Sequence, residues 1–310
     1  MRSNKNYKAI KFISVIIPVK NREKKFLRAV KSVRFQVNVQ VELIIIDDGS
    51  KIPIQKVSKG GAIIKTKLLR NKISMNAAYS RNIGIKNSEA SIVAFLDSDD
   101  QWEKDHLKIG INSIEKYDCL FIGNHRKNFI SNNIYNKIIP INPYKFLFEG
   151  LGDFRTSTFI IKKSLINKFQ GFDPSLNKHQ DWDLALRICS KTPYLLSEKN
   201  TVLIDQGDNS RMSNTADVEA SMIFLDKHKK FMKENHKLVF FEEIIKRLLS
   251  KKNKSQRIEM YKEIHRNKLN FFKPDLPITS ASEPNPPPIS RIVLGLKLQS
   301  TEFKKLKPKR

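Results

Sequence analysis

The sequence predicts an α/β protein built on a mostly parallel sheet flanked by helices, with a helical extension at its C-terminal end. Three observations carry that expectation. Over the first 125 residues, short β-branched runs alternate with helical periodicities, the pattern of parallel strands joined by right-handed crossovers. Two of those runs end in acidic turns, Asp47-Asp48-Gly49-Ser50 and Asp97-Ser98-Asp99-Asp100. The chain has 310 residues, 40% of them hydrophobic, which allows a packed core and excludes wholesale disorder.

In order, Ile13-Ser14-Val15-Ile16-Ile17 reads as a buried strand. Residues 23–36 place Phe26, Leu27, Val30 and Val33 at helical spacing. Residues 41–46 are a second strand and Ala62-Ile63-Ile64 a weaker third. Residues 76–87 read as a helix, 91–96 and 117–122 as further strands. Residues 126–210 read as α+β: Thr158-Phe159-Ile160-Ile161 as a strand, 164–168 as a short helix, Gly171-Phe172-Asp173-Pro174 as a turn, and 181–190 as a helix. Past residue 215 the pattern is helical, with Phe240, Phe241, Ile244, Ile245, Leu248 and Leu249 in one stripe that suits core or lid packing. Prolines at 274, 277, 284 and 286–288 mark an extended linker. The expected organisation is a first domain over 1–215, a helical extension over 216–273, and a linker with a basic tail over 274–310.

Lys and Arg number 58 against 31 Asp and Glu, a formal charge of +27, so anionic partners are expected. The two cysteines, Cys119 and Cys189, lack any disulfide or zinc spacing and read as core thiols. No apolar run approaches the ~20 residues a bilayer span requires. Pro18, Lys20 and Arg22 break the Phe12–Val19 run that could suggest a secretory leader, so a cytoplasmic location is expected. In the tail, Ile289, Ile292, Val293 and Leu296 precede Lys304, Lys305, Lys307, Lys309 and Arg310. That arrangement is either a solvated basic tail or a peripheral anchor on an anionic membrane surface.

The acidic strand ends suggest chemistry. In open parallel sheets, ligands bind beyond the carboxyl ends of the strands. Asp47, Asp48, Asp97 and Asp99 would reach one edge, and a two-residue separation on extended chain would aim Asp97 and Asp99 the same way. Clustered carboxylates need a cation or donors among them. Oxygen ligands suit Mg2+ or Mn2+, which shares its shell with substrate phosphates. Either cluster alone also suits an ordinary turn; together, on a strongly basic protein, they favour a metal–diphosphate site. His179-Gln180-Asp181-Trp182-Asp183 is either a helix start capped by acids or a general base aimed into a cleft.

Five motifs then converge on one family. The stretch from Ser14 to Arg22 resembles the opening strand of family 2 glycosyltransferases. Ile44 to Ser50 is similar to their nucleotide-contacting strand end, Ser80-Arg81-Asn82-Ile83-Gly84 to their Ala-Arg-Asn-x-Gly helix, and Phe95 to Asp100 to their DxD motif. Gln180-Asp181-Trp182-Asp183-Leu184 resembles their late Glu-Asp motif. The likeness covers about residues 10–215.

It implies a GT-A fold and inverting transfer of a sugar from a nucleotide-diphosphate donor, a UDP-sugar foremost, to a glycan or lipid-linked acceptor. Carried over, Pro18 and Asp48 line the base and ribose pocket, Arg81 lies beside the nucleotide, and Asp97 approaches the ribose. Asp99 holds the metal, and Asp181 is the base. Gln180 departs from the usual Glu, and in the loop Asn209–Ser213 the only cation is Arg211, where relatives often place a His-bearing basic loop.

Two other classes compete. A nucleotidyltransferase can share the α/β layout and acid-bound metal. A basic nucleic-acid-binding protein would explain the charge, but no recognition motif accompanies it, so nucleic acid is not an expected partner. No GxxxxGK[ST] loop is present, which argues against a P-loop ATPase or kinase. Trp102 either borders the donor sugar or anchors the next helix.

Overall fold

The computed structural model describes residues 11–116, 120–125, 142–205 and 217–249. In chain order the strands are β1 (Lys11–Val19), β2 (Val39–Asp47), β3 (Ile63–Arg70), β4 (Ile92–Phe95), β5 (Gln101–Trp102), β6 (Leu120–His125), β7 (Phe159–Lys162) and β8 (Tyr194–Leu203). The helices are α1 (Glu23–Arg34), α2 (Ala77–Asn87), α3 (His106–Lys116), α4 (Pro143–Phe148), α5 (Lys163–Lys168), α6 (Gln180–Cys189), α7 (Val218–His228) and α8 (Glu234–Leu249).

All eight strands form one sheet in the order β3-β2-β1-β4-β7-β6-β8-β5. The first four in that order run parallel. β7 lies antiparallel between β4 and β6, β6 and β8 are parallel, and β5 closes the edge antiparallel to β8. β1 sits between β2 and β4 and is buried from Ile13 to Val19, which explains its unbroken apolar run. Pro18 interrupts no pairing with β4, because β4 pairs β1 only at Ser14–Ile16.

The α2 helix lies so close to β1 that a Cβ on Gly84 would stand 2.4 Å from Cγ2 of Ile16. Only glycine fits that approach. At the β3 edge, Lys67 pairs with the buried Glu42 (2.8 Å), and Lys65 and Lys67 both reach Glu89. Lysines along an edge strand discourage pairing with another chain.

Several elements depart from the sequence pattern. β3 runs to Arg70, well past the three residues expected, because its lysines alternate along a half-exposed edge. α3, α4, β5 and β8 have no counterpart in the sequence expectation. The chain divides into two compact units, Met1–Ile244 and Ile245–Arg310. The first unit holds the whole sheet. It includes α7 and most of α8, because Phe224 and Phe240 pack against His179 and Trp182 of the site. Phe240, Phe241 and Ile244 are buried, so this half of the stripe is core. Cys189 is buried, whereas Cys119, the Asn209–Ser213 loop, the linker and the basic tail lie outside the described residues.

Candidate active site

The strand order brings the acidic turns together. β1 lies between β2 and β4, so the turns after β2 and β4 flank the loop that follows β1. Pro18 is buried at the end of β1, where the Asp48 N–H donates to Val19 O (2.8 Å). Gly49 turns the chain at φ +69, and a Cβ there would lie 2.9 Å from Ser74 N. The β2 turn is thereby pressed against the 71–76 loop.

Asp47 and Asp48 have different duties. Asp47 accepts from the Ser50 N–H (2.9 Å), the Ile54 N–H (3.2 Å) and Arg70, and so holds its own turn. Asp48 accepts from Asn71 Nδ2 and Ser74 Oγ (both 2.7 Å) and from the N–H groups of Met75 (2.9 Å) and Asn76 (3.2 Å). Burial works against the Asp48 carboxylate, but these donors outweigh it and hold its pKa below the ordinary value. Two donors on each oxygen fill the roughly four acceptor positions of a carboxylate. Any nucleotide contact by Asp48 must share or displace one of them.

The Asp97–Asp99 pair corrects one expectation. β4 ends at Phe95, and residues 97–100 form a turn in which the Asp100 N–H donates to Asp97 O (3.0 Å). The common aim of the two carboxylates therefore cannot rest on extended-strand alternation. Instead each is met by a guanidinium. Arg22 Nη1 donates to Asp99 Oδ2 and Arg81 Nη2 to Asp97 Oδ1, both at 2.5 Å. Arg81 is buried, donates from Nη1 to Gln180 Oε1 (2.9 Å), and lies 5.1 Å from the centre of the Phe172 ring. It is the bridge between the β4 turn and the first turn of α6.

Asp181 occupies that first turn. Burial pushes its carboxyl up to about 6; Arg155 and Arg81 pull it down, while Asp153 and Asp97 push it up. Near neutral pH it is a carboxylate with useful basicity. Asp183, two residues on, is wholly buried. It accepts from Arg187 Nη2 (2.7 Å), Lys227 Nζ (2.8 Å) and His228 Nε2 (3.0 Å). The two acids of one motif thus differ: Asp183 ties α6 to α7, whereas the Asp181 carboxyl is raised by burial. Gln180 also donates to Leu176 O (2.6 Å), so the Glu-to-Gln departure keeps a buried link to Arg81 without a buried charge.

Several site residues escaped the sequence reading. Ser157 Oγ accepts from the Asp97 N–H (3.0 Å) and donates to Asp100 Oδ2 (2.5 Å). The Trp102 indole donates to Ser157 O (2.7 Å) and stacks on His106, so Trp102 anchors the start of α3 and is not a donor-sugar contact. Burial, then Asp97 and Asp99, push the Asp100 carboxyl up to about 7. Asp153 pairs with Arg155 (2.5 Å) and accepts from the Trp182 indole (2.9 Å). For Asp153 and Arg155 the only signal in the sequence was charge in a stretch without periodicity, and Ser157 gave none.

Asp97 and Asp99 fit a hard cation by donor type. Among the described residues, no group of three or more His, Cys, Asp or Glu side chains could hold a metal ion. Mg2+ commonly takes one or two carboxylates and completes its shell with waters and substrate phosphates, so a pair is sufficient.

The mostly parallel sheet thus sets the acidic turns after β2 and β4 on either side of the loop after β1, with α6 joined to them through Arg81. The family model for glycosyl transferase family 2 matches residues 14–173, more than half the chain, and the chain belongs to that family. It is 30% identical over 189 residues to the amylovoran biosynthesis glycosyltransferase AmsB of Erwinia amylovora, covering 56% of this chain and 62% of that one. It is 28% identical over 163 residues to the Escherichia coli glucosyltransferase WfgD, covering 51% and 62%. The chain thus spans about three-fifths of the length of each. S. aureus TarS 1–349, solved in complex with UDP-GlcNAc, shares the fold with a TM-score of 0.56 at 18% identity, covering 83% of this chain and 81% of TarS. Among the described residues, no helix is long and apolar enough to cross a membrane.

Proposed function

We propose that the protein is an inverting glycosyltransferase that moves a sugar from a nucleotide-diphosphate donor to a hydroxyl of a cell-envelope glycan, with Asp97 approaching the ribose and Asp99 holding a Mg2+ or Mn2+ ion. The observation that carries the reading is the Asp97–Arg81–Gln180 chain, which links the acidic pair to the first turn of α6, where the charges of Arg81 and Asp97 both act on Asp181. UDP is the favoured nucleotide. TarS was solved with UDP-GlcNAc, and WfgD is named for transfer from UDP-Glc to a GlcNAc-diphosphoundecaprenol. A lipid-linked acceptor follows by the same likeness.

When bound, the cation would offset the charge that develops on the departing diphosphate. The chain's own groups do the rest. Asp181 accepts the proton of the acceptor hydroxyl as that oxygen forms a bond to the anomeric carbon. The bond from that carbon to the diphosphate oxygen breaks on the opposite face, and the electron pair leaves with the nucleotide. This is the base half of inverting glycosidase chemistry with an acceptor in place of water. Arg81 stays in place between Asp97 and Gln180 and keeps the two ends of the cleft in register. Ser157 holds the Asp97 backbone and Asp100 together.

The test is calorimetry with UDP and Mn2+ on wild type and Asp99→Ala. Wild type is expected to bind UDP in a metal-dependent manner, and the variant to lose that dependence. Metal-dependent affinity that survives the substitution overturns the assignment.

A further inference from the structure

Both carboxylates of the Asp97–Asp99 pair are engaged by arginines, and the two arginines differ in freedom. Arg81 has a side chain only 5% exposed, is fixed by Gln180 at its far end and is covered by the Phe172 ring. The Arg22 side chain is 32% exposed. Its backbone is fixed: it lies at the N-terminal boundary of α1, its carbonyl accepts from the Phe26 N–H (2.8 Å), and the preceding Asn21 stands at φ 53. Asn21 is itself pinned, donating through its N–H to Ser50 Oγ (3.0 Å) and accepting from the Lys51 N–H (2.7 Å). What can move in Arg22 is the long side chain, pivoting from a rigid base.

The charges then set a condition on metal loading. Asp97 and Asp99 each give an oxygen to a guanidinium, and Asp100 stands beside both. A divalent cation entering alone must compete with Arg22 for the Asp99 carboxylate. A cation entering with a diphosphate brings its own anionic oxygens. A guanidinium presents several N–H donors in a fork that matches phosphate as well as carboxylate, so Arg22 has a second partner as soon as the nucleotide arrives. Among the described residues no third His, Cys, Asp or Glu joins the pair as a metal ligand, so substrate phosphate oxygens would have to complete the shell.

We propose that Arg22 is a gate on Asp99: it holds the carboxylate until a nucleotide diphosphate arrives, and so makes binding of the divalent cation conditional on the nucleotide. The proposal rests on the reading of Asp99 as the metal carboxylate. Arg22 is a positioning residue here, acting on the cation through Asp99. Because binding couplings are reciprocal, the nucleotide must tighten the cation by the same factor as the cation tightens the nucleotide.

The experiment titrates Mn2+ into the full chain by electron paramagnetic resonance, with and without UDP, for wild type, Arg22→Gln, Arg22→Lys and Asp99→Asn. Wild type is expected to bind Mn2+ weakly alone and much more tightly with UDP. Arg22→Gln is expected to bind Mn2+ alone about tenfold more tightly, as expected when a charge-assisted pair no longer competes for the carboxylate. Its coupling to UDP should fall by a similar factor, while Arg22→Lys restores part of it. Damage to the fold would weaken metal binding, not strengthen it, so the sign separates a gate from a structural role. Arg22→Gln binding Mn2+ no more tightly than wild type overturns the gate. If Asp99→Asn abolishes the coupling in that same experiment, the metal assignment stands and only the gate falls. If Asp99→Asn keeps the wild-type coupling, the metal assignment falls and the gate with it.

Discussion

Asp181 illustrates how one residue acquires its role from its surroundings. Burial raises its carboxyl to about 6, with Arg155 restraining the rise. The base must be ionised to accept the acceptor's proton, so transfer should approach its full rate from about one pH unit above 6, stand at about half of it near 6, and fall as the pH drops further. There, kcat/KM should lose about tenfold per unit, the limiting slope for one required base. The pH–rate profile of wild type checks this. Asp181→Asn keeps the shape but deletes the base, and should lower kcat by ~10²–10⁴-fold with donor affinity largely kept. A variant retaining more than about a tenth of wild-type turnover shows that Asp181 is not the base. The sequence singles out Asp181, Asp97 and Asp99 because each follows a strand or opens a helix in a recognisable motif. Ser157 and Arg22 were not, although Arg22 lies within the first motif. Their partners are 60 and 77 residues away, and the pairings exist only because β4 lies beside both β1 and β7.

At the scale of the element, α6 carries both the proposed base and a stabilising network. Its first turn gives Gln180 to Arg81 and carries Asp181, while Asp183 anchors Arg187, Lys227 and His228. Burial disfavours the Asp183 carboxylate, but the donors from His228, Arg187 and Lys227 dominate and hold its pKa far below the ordinary value. A carboxyl depressed in the folded state contributes stability that is present above its unfolded value, about 4, and is lost as the pH falls through the folded one. Asp183→Asn should therefore destabilise the protein by about 3 kcal/mol near pH 7, with the difference shrinking in acid. Urea unfolding at both pH values measures it, and equal midpoints near neutrality would contradict the network's role. The helix itself was legible from its pattern, but the division of labour between its acids was not, since α7 lies more than thirty residues further on. α3 and β8 escaped for related reasons. Gly110 sits inside α3, where a Cβ would meet Ile160 at 2.2 Å, so packing overrides a poor helix former. β8 includes Ser197, Glu198, Lys199 and Asn200 in mid-strand, which obscures any apolar run.

At the scale of the molecule, the formal charge of +27 coexists with a sheet edge rich in carboxylates, two of which pair with arginines. The fold class was legible because alternating strand and helix patterns leave few topologies open. The antiparallel β7 was not, because a four-residue apolar run has no direction of its own. Family membership explains the architecture, but a fold alone does not define a substrate. The central claim is that a nucleotide-diphosphate sugar binds this cleft together with a divalent cation. Thermal unfolding in the presence of UDP-, GDP-, dTDP- and CMP-sugars, each with Mn2+ or with EDTA, tests it most directly. A ligand at about a hundred times its Kd stabilises the native state by ~2.7 kcal/mol, enough to raise Tm by about 5 °C in a protein of this size. The account predicts such a rise for at least one diphosphate sugar, lost in EDTA, and none for the CMP-sugar, which has a single phosphate. No shift with any diphosphate sugar, or a shift indifferent to EDTA, would contradict it.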